Sequence, residues 1–143
     1  PGRRYRIRHA RGRIDSAGGA PAFGEPRTVA RGPEGSEAGA RFPHLALDAS
    51  GDPWIAWERY PPGRRRPRGL ALATSPDGGR SFSSPSPVPG TADPAFRANG
   101  SLQGLLMRKL AVGADGTVAV VNSAFEPGEA SRVRLYLART RPR

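Results

Sequence analysis

One turn-forming stretch limits what this chain can fold into more than any other. It lies between the alternating apolar run Leu70–Thr74 and a proline-rich run that ends at Val88. Two β-strands joined by a tight, glycine-rich turn have this pattern. The stretch covers residues 75–82 and has the sequence Ser75-Pro76-Asp77-Gly78-Gly79-Arg80-Ser81-Phe82.

Each residue type in the stretch has a mechanical role in such a turn. Asp77 is expected to fold its carboxylate onto backbone N–H groups two residues further on, and Ser75 to add a hydroxyl to the same network. Gly78 and Gly79 adopt positive φ without a Cβ clash. Phe82 follows the turn and is expected to anchor it in the core. Taken alone, the stretch is explained equally well as an ordinary Asp-Gly hairpin turn.

The composition favours strands and turns over long helices. The chain has 143 residues, enough for one ordinary domain, with 19 glycines, 16 prolines and 36% hydrophobic residues. It has no cysteine, which excludes disulfides and thiolate metal sites, and its two histidines, His9 and His44, are too few for a zinc site. We therefore predict no metal and no cofactor. No apolar run is long enough for a membrane span.

Internal repeats organise the chain. One pair of segments matches without a gap at an offset of 59 residues, and two further pairs match at an offset of 65 residues. Near-equal periods from separate alignments indicate a repeat architecture built from one supersecondary unit. The pairs are Ser16–Val29 with Ser75–Val88, Leu45–Gly51 with Leu110–Gly116, and Leu70–Ala73 with Leu135–Ala138.

The spacing Ser-x-Asp-x-Gly-x-Ser-Phe at residues 75–82 resembles the Asp-box, or bacterial neuraminidase repeat, with Ser81 in place of Thr and Phe82 in place of Trp. In that family the box is the turn between the third and fourth strands of a β-propeller blade and supplies no catalytic group. The resemblance implies an all-β fold, a partial β-propeller of four-stranded antiparallel, sialidase-like blades that is incomplete at both ends. The structural box residues are Ser75, Asp77, Gly78, Gly79, Ser81 and Phe82.

The repeats divide a single partial propeller domain, residues 1–143, into three units. Residues 1–30 supply the outer strands of a first blade, residues 43–89 form a complete blade, and residues 107–143 form a third blade truncated at its own box. The chain lacks a starting Met and ends where the third box would begin, so we expect a piece of a longer protein. The first unit carries a degenerate box without the aspartate, at Ser16, Gly19 and Phe23.

The pattern also predicts where the strands lie. Each unit alternates apolar and polar residues between turn signals such as Ser50-Gly51-Asp52. Four strands joined by short hairpins are typical of a propeller blade. We expect strands at residues 6–14, 26–30, 43–48, 53–58, 69–74, 107–112, 117–122 and 132–139, with a further strand ending near Val88.

The candidate binding residues follow from the resemblance. In the family, ligands meet the face that carries the blade-to-blade loops and the loops between second and third strands. A solvated loop position remains the alternative for each candidate. The residues on that face are Arg41, His44, Glu58, Arg59, Tyr60, Arg64, Arg108 and Glu126.

No catalytic residue is assigned. Sialidase-like enzymes pair a tyrosine nucleophile with a glutamate that removes its proton. Glu58 and Tyr60 lie two residues apart at one strand end, whereas the family's pair comes from different blades. The resemblance therefore implies a non-catalytic fragment of a sialidase-like propeller protein, with the parent a glycan-binding, other binding or scaffold module.

Two other functions stay open. The chain could be part of an exo-α-sialidase or related glycoside hydrolase whose catalytic residues lie mostly outside it. It could instead be a basic nucleic-acid-binding domain, because its net charge is +11. The arginines are scattered, however, and the aromatic interleaving of a single-strand binder is missing, which argues against nucleic acid. The expected partners are a glycan or protein ligand and the rest of the propeller, in a bacterial protein of the cell envelope or extracellular space.

Overall fold

The computed structural model describes residues 6–30, 39–60, 69–91, 98–99, 109–125 and 132–139 of the chain. Within these ranges every regular element is a β-strand, as the sequence predicts. The strands are β1 (Ile7–His9), β2 (Gly12–Arg13), β3 (Ala22–Phe23), β4 (Arg27–Ala30), β5 (Gly39–Leu47), β6 (Pro53–Tyr60), β7 (Leu70–Thr74), β8 (Ser86–Pro87), β9 (Ala98–Asn99), β10 (Leu110–Val112), β11 (Thr117–Phe125) and β12 (Arg132–Arg139).

The second sheet is antiparallel, with its strands in the chain order β5-β6-β7-β8. A tight turn joins the first two strands, and Asp48 Oδ1 braces it by accepting the N–H groups of Ser50 and Asp52 at 2.9 and 3.0 Å. The 75–82 turn follows β7, and the N–H of Ser83 closes it onto the carbonyl of Thr74 at 2.8 Å. This is the strand order predicted for the complete unit at residues 43–89.

β5 differs from the prediction because it begins at Gly39 and contains a β-bulge. The register with β6 shifts between Arg41 and His44. At this point Phe42 has a positive φ of 53°, and Pro43 has no N–H to donate to the ladder. The extra residue bends the strand and turns the residues before it, Arg41 among them, relative to those after it.

The third sheet repeats the order of the first three strands of the second sheet. β10, β11 and β12 are antiparallel neighbours, and β9 pairs with the far end of β11. The turn between β10 and β11 is braced by Asp115, whose carboxylate accepts the N–H and the hydroxyl of Thr117 at 3.0 and 2.8 Å. β10 starts at Leu110, later than the predicted residue 107, and residues 107–108 lie outside the described residues.

The first sheet is smaller. β1 pairs with β4, with His9 opposite Arg27. The single strand predicted at residues 6–14 is divided, because β2 leaves this sheet and forms a hairpin with β3. The N–H of Gly24 bonds to the carbonyl of Arg11 at 2.9 Å at the base of that hairpin.

The core lies on both sides of the second sheet. Alternation along its strands divides their side chains between the two faces. One face packs against the first sheet, and the other packs against the third sheet. The first cluster consists of Ile7, Val29, Ala40, Ile55, Trp57, Ala71 and Ala73, and the second of Ala56, Leu70, Val88, Leu110, Val118 and Val120.

The prediction of an all-β, antiparallel fold is confirmed. The described sheets are stacked face to face and do not close on themselves. None of the described residues belongs to a helix that is long and apolar enough to cross a membrane. The N-terminal end of β5 and the C-terminal end of β6 lie together at one end of the second sheet's strands, and the 75–82 turn lies at the opposite end.

Candidate functional site

A buried polar cluster lies at the end of the second sheet where β6 ends. Glu58 and Tyr60 are two residues apart, so their side chains point to the same side of the strand. Both residues are buried, with exposures of 0% and 6%. The phenol of Tyr60 donates a hydrogen bond to Glu58 Oε2 at 2.9 Å.

Lys109 completes the cluster from the neighbouring sheet. It lies directly before β10, and its ammonium group donates to Glu58 Oε1 in a salt bridge. The Lys109 carbonyl accepts the N–H of Val121 at 2.9 Å, which fixes the backbone on the third sheet. The ion pair therefore joins the second and third sheets. Burial of two charges is tolerated because each finds its counter-charge and Glu58 gains a further donor from Tyr60.

Arg41 covers the outer side of this cluster. Its guanidinium carbon lies 4.5 Å from the centre of the Tyr60 ring, within cation–π range. The ring of Phe42 is tilted against the same tyrosine, with 6.4 Å between ring centres. Both residues come from the bulged part of β5, so the bulge is what brings them over Tyr60.

The environment of Tyr60 disfavours its ionised form. Burial is the largest cause of a raised pKa, and the negative charge of Glu58 together with the hydrogen bond to it adds to the effect. The positive charge of Arg41 opposes the rise without cancelling it. Tyr60 is therefore a neutral hydrogen-bond donor at physiological pH, which is the opposite of an activated nucleophile.

The structure brings together three of the predicted face residues, Arg41, Glu58 and Tyr60. His44 follows the bulge and is half-buried, and Arg59 is exposed on the other side of β6. Arg64, Arg108 and Glu126 lie outside the described residues. Sequence reasoning missed Lys109, although one signal was present, because it is the only lysine among 23 basic residues.

At the opposite end of the strands, the 75–82 turn is closed by Asp77. Its Oδ1 accepts the hydroxyl of Ser75 and the N–H groups of Arg80 and Ser81, each at 2.8 Å, and its Oδ2 accepts the Ser81 hydroxyl at 2.6 Å. The carboxylate thus reaches three and four residues on, and the predicted reach of two residues was wrong. Two consecutive glycines at positive φ, Gly78 at 66° and Gly79 at 86°, turn the later N–H groups toward it.

These hydrogen bonds fix the charge of Asp77. The hydroxyl and N–H of Ser81 are the main cause that holds the pKa of the Asp77 carboxyl well below its ordinary value, and the bonds from Ser75 and Arg80 act in the same direction. A carboxylate that is stabilised in its charged form is a poor general acid near neutral pH. The geometry accordingly assigns Asp77 to turn closure.

The turn is also tied to the rest of the sheet. Ser75 has an exposure of 0% and accepts the N–H of Gly79 at 2.7 Å. The N–H of Gly78 bonds to Asp52 Oδ1 at 2.7 Å, which links this turn to the β5–β6 turn. Phe82 packs against the first core cluster and meets His9 edge to face at 5.2 Å between ring centres.

The segment predicted as a degenerate box has a different geometry. Ser16 and the N–H of Ala17 approach Asp15 Oδ1, both at 3.4 Å, and Gly19 is exposed. Phe23 is 69% exposed, whereas its counterpart Phe82 contacts the core. The segment forms the β2–β3 hairpin, which projects from the first sheet.

A basic cleft lies between the first sheet and the 75–82 turn. Its volume is about 200 Å³. Burial, with the nearby charge of Arg11, lowers the pKa of the His9 imidazole. Arg27 crosses to the turn and donates to the carbonyl of Arg80 at 2.9 Å. The cleft is lined by His9, Arg11, Gly24, Glu25, Arg27, Gly79 and Arg80.

Among the described residues, no group of three or more His, Cys, Asp or Glu side chains could hold a metal ion. Comparison of the sequence with known proteins finds no matching protein-family model and no significant match to a curated protein.

Proposed function

We propose that this chain is a non-catalytic segment of a sialidase-like Asp-box propeller protein, and that it belongs to a module that binds a glycan. One observation carries the non-catalytic part of the proposal. Both carboxylate oxygens of Glu58, the buried acid of the candidate face, are occupied: Lys109 holds Oε1 and Tyr60 holds Oε2. A group held in this way stabilises the packing of two sheets and is not poised to move protons.

The propeller part of the proposal is supported by the way the sheets repeat. Three strands of the second and third sheets share their order, and the two sheets pack face to face, with apolar side chains on both sides of the second sheet. A blade of a propeller is buried in this manner by its two neighbours. The carboxylate-braced turn after β7 lies at the position that the Asp-box resemblance implies.

The ligand class is suggested by the positive charge of Arg41 at the end of the sheet where β5 begins. Arg41 lies over Tyr60 and supplies the charge on this side of β6, while Arg59 is exposed on the opposite side. Guanidinium groups suit carboxylates because they present paired N–H donors in a plane. We therefore propose that the glycan carries a carboxylate, as sialosides and uronosides do.

Binding of acidic sugars by the whole chain tests this proposal. Sialylated and uronic-acid oligosaccharides are titrated against their neutral counterparts by calorimetry or on a glycan surface. We expect saturable binding of the acidic sugars, and about tenfold weaker binding in Arg41→Gln, which corresponds to roughly 1.4 kcal/mol. Arg13→Gln, an exposed arginine on the β2–β3 hairpin, is the matched control and leaves binding unchanged. Equal binding of acidic and neutral sugars would refute the proposed ligand class.

A second candidate is a sialidase-type hydrolase. The hydrogen bond from Tyr60 to Glu58 joins the two residue types that the family's enzymes use, although both lie on one strand here and the family's pair comes from different blades. A fluorogenic sialoside distinguishes the two. The proposal predicts no release of the fluorophore by the chain. Release that disappears in Tyr60→Phe and persists in Arg13→Gln would establish the enzyme and overturn the non-catalytic function.

A further inference from the structure

The third sheet leaves one of its faces apolar and exposed. Leu135 and Leu137 on β12 are 60% and 65% exposed. They lie opposite Val121 and Ala119 of β11, on the side away from the second sheet. We call this surface, Leu135 with Leu137, the third-sheet patch.

The same positions are covered in the second sheet. Leu70 and Leu72 precede the third-sheet patch by 65 residues, the offset of the internal repeat. Leu70 has an exposure of 0%, and Leu72 packs against the cluster shared with the third sheet. Ala56, which stands 65 residues before Val121, is 1% exposed. The patch is thus a repeat of a face that, one sheet earlier, is buried by the next sheet.

A second exposed patch lies on β5. Leu45 and Leu47 are 57% and 56% exposed, on the side of the second sheet that faces the first sheet. The strands β1 and β4 of that small sheet leave them uncovered. Their counterparts 65 residues later, Leu110 and Val112, pack against the second sheet, and Leu110 is only 7% exposed. We call Leu45 with Leu47 the second-sheet patch.

The two patches are therefore the repeated halves of one contact that the molecule already contains. In the packing of the second sheet on the third, Leu70 and Leu110 belong to one buried cluster, and Leu72 and Val112 pack against it. The third-sheet patch repeats the first half of this contact, and the second-sheet patch repeats the second half.

We infer that a second copy of this chain docks its second-sheet patch, the part of that face that β1 and β4 leave uncovered, on the third-sheet patch. The contact is head to tail, so each copy uses two different surfaces. Each docked pair leaves one patch of each kind at its ends, and association therefore proceeds beyond the dimer. The inference rests on the packing of the sheets and is independent of glycan binding.

Two double variants test the contact through their mixture. Leu135→Glu with Leu137→Glu removes the third-sheet patch, and Leu45→Glu with Leu47→Glu removes the second-sheet patch. In sedimentation velocity at rising concentration, we expect the unmodified chain to form species of increasing mass and each variant alone to stay monomeric. An equimolar mixture is expected to give a one-to-one dimer and nothing larger, because each partner supplies the patch that the other lacks.

The control is a third pair of exposed apolar residues outside the contact. Ile14→Glu with Phe23→Glu, on the β2–β3 hairpin, is expected to associate like the unmodified chain. Far-UV circular dichroism checks that each variant is folded. If a glutamate variant is not folded, the corresponding double threonine variant replaces it, because threonine keeps a high strand propensity. An unmodified chain that stays monomeric, a single double variant that still oligomerises, or a mixture that stays monomeric would overturn the inference.

Discussion

At one end of the strands of the second sheet, the 75–82 turn satisfies its polar side chains with its own backbone. At the other end, Glu58 finds its partner on a different sheet. Asp77 accepts from residues three and four positions away, and the bonds are exposed to solvent. The Glu58 pair spans 51 residues of sequence and is buried. The comparison shows that the end with the 75–82 turn is held by local chain geometry, and the end with Glu58 by the packing of two sheets.

Removal of Lys109 should therefore be the most damaging single change. Lys109→Met leaves the buried Glu58 with Tyr60 but without its counter-charge, and loss of one partner of a buried ion pair costs about 3–5 kcal/mol. Chemical denaturation measures this loss of stability. Arg13→Met, at an exposed position, is the control and should change stability by less than about 0.5 kcal/mol. A loss below about 1 kcal/mol in Lys109→Met would mean that the sheets do not depend on the pair.

The glycines of the 75–82 turn come next. Gly79 has a φ of 86°, and a Cβ there would stand 2.7 Å from His9 Cε1. Gly51 has nearly the same φ, 80°, with nothing within 4 Å of its Cβ position. Gly51→Ala should cost about 1–2 kcal/mol for its backbone conformation alone, and Gly79→Ala about 1–3 kcal/mol more because of the added contact. Equal losses in thermal unfolding would show that the turn does not press against the first sheet.

The two serines that align at the 59-residue offset give a matched test of the braced turn. Ser75→Ala leaves the buried N–H of Gly79 without its acceptor and should cost about 1–3 kcal/mol. Ser16→Ala removes only an exposed contact of 3.4 Å and should change stability by a few tenths of a kcal/mol at most. Similar losses for both variants would contradict the difference drawn between the two segments.

The smallest effects are expected in the dependence of stability on pH. His9 and Asp77 both have lowered pKa values in the folded state, so the unfolded chain binds protons first and acid destabilises the fold. The contribution of His9 declines as the pH falls below about 6.5, and that of Asp77 as it falls below about 3.9, the ordinary values of these groups. His9→Gln should remove the upper part of the decline and Asp77→Asn the lower part, as measured by denaturation at a series of pH values. An unchanged pH profile in both variants would contradict these assignments.

Local patterns in the sequence were enough for much of the fold. The positions of β6, β7, β11 and β12, the strand order of the second sheet and the closure of the glycine turn by Asp77 follow from alternation and turn chemistry, because these depend on neighbours in the chain. The bulge of β5 shows the limit of that approach. Pro43 indicated the start of a strand, yet β5 begins earlier, at Gly39, because the positive φ of Phe42 forms a bulge that lets the pairing with β6 extend to both sides of Pro43.

The first unit shows a second limit. Residue identities align at the 59-residue offset, but the hydrogen bonds do not: Ser83 closes on Thr74, whereas Gly24 closes on Arg11. Gly18 stands where Asp77 stands in the later turn, so the carboxylate that gathers the N–H groups is missing and the segment opens into a hairpin. A match of identities without the residue that makes the bonds does not preserve the geometry.

The cluster around Glu58 could be predicted only in part. Alternation places Glu58 and Tyr60 on one side of β6, which the sequence states directly. Lys109 comes from another sheet, and no spacing rule connects residues whose proximity depends on how two sheets pack. Its rarity as the only lysine of the chain is the single trace of this role in the sequence.

The central claim is that Glu58 and Lys109 fasten the second sheet to the third and are not a reactive pair. A double-mutant cycle of Glu58→Gln, Lys109→Met and the combined variant measures this coupling by denaturation. We predict that the combined variant is more stable than the sum of the single losses implies, by about 1–3 kcal/mol, because removing both charges leaves none unpaired. Losses that add to within about 0.5 kcal/mol would contradict the claim.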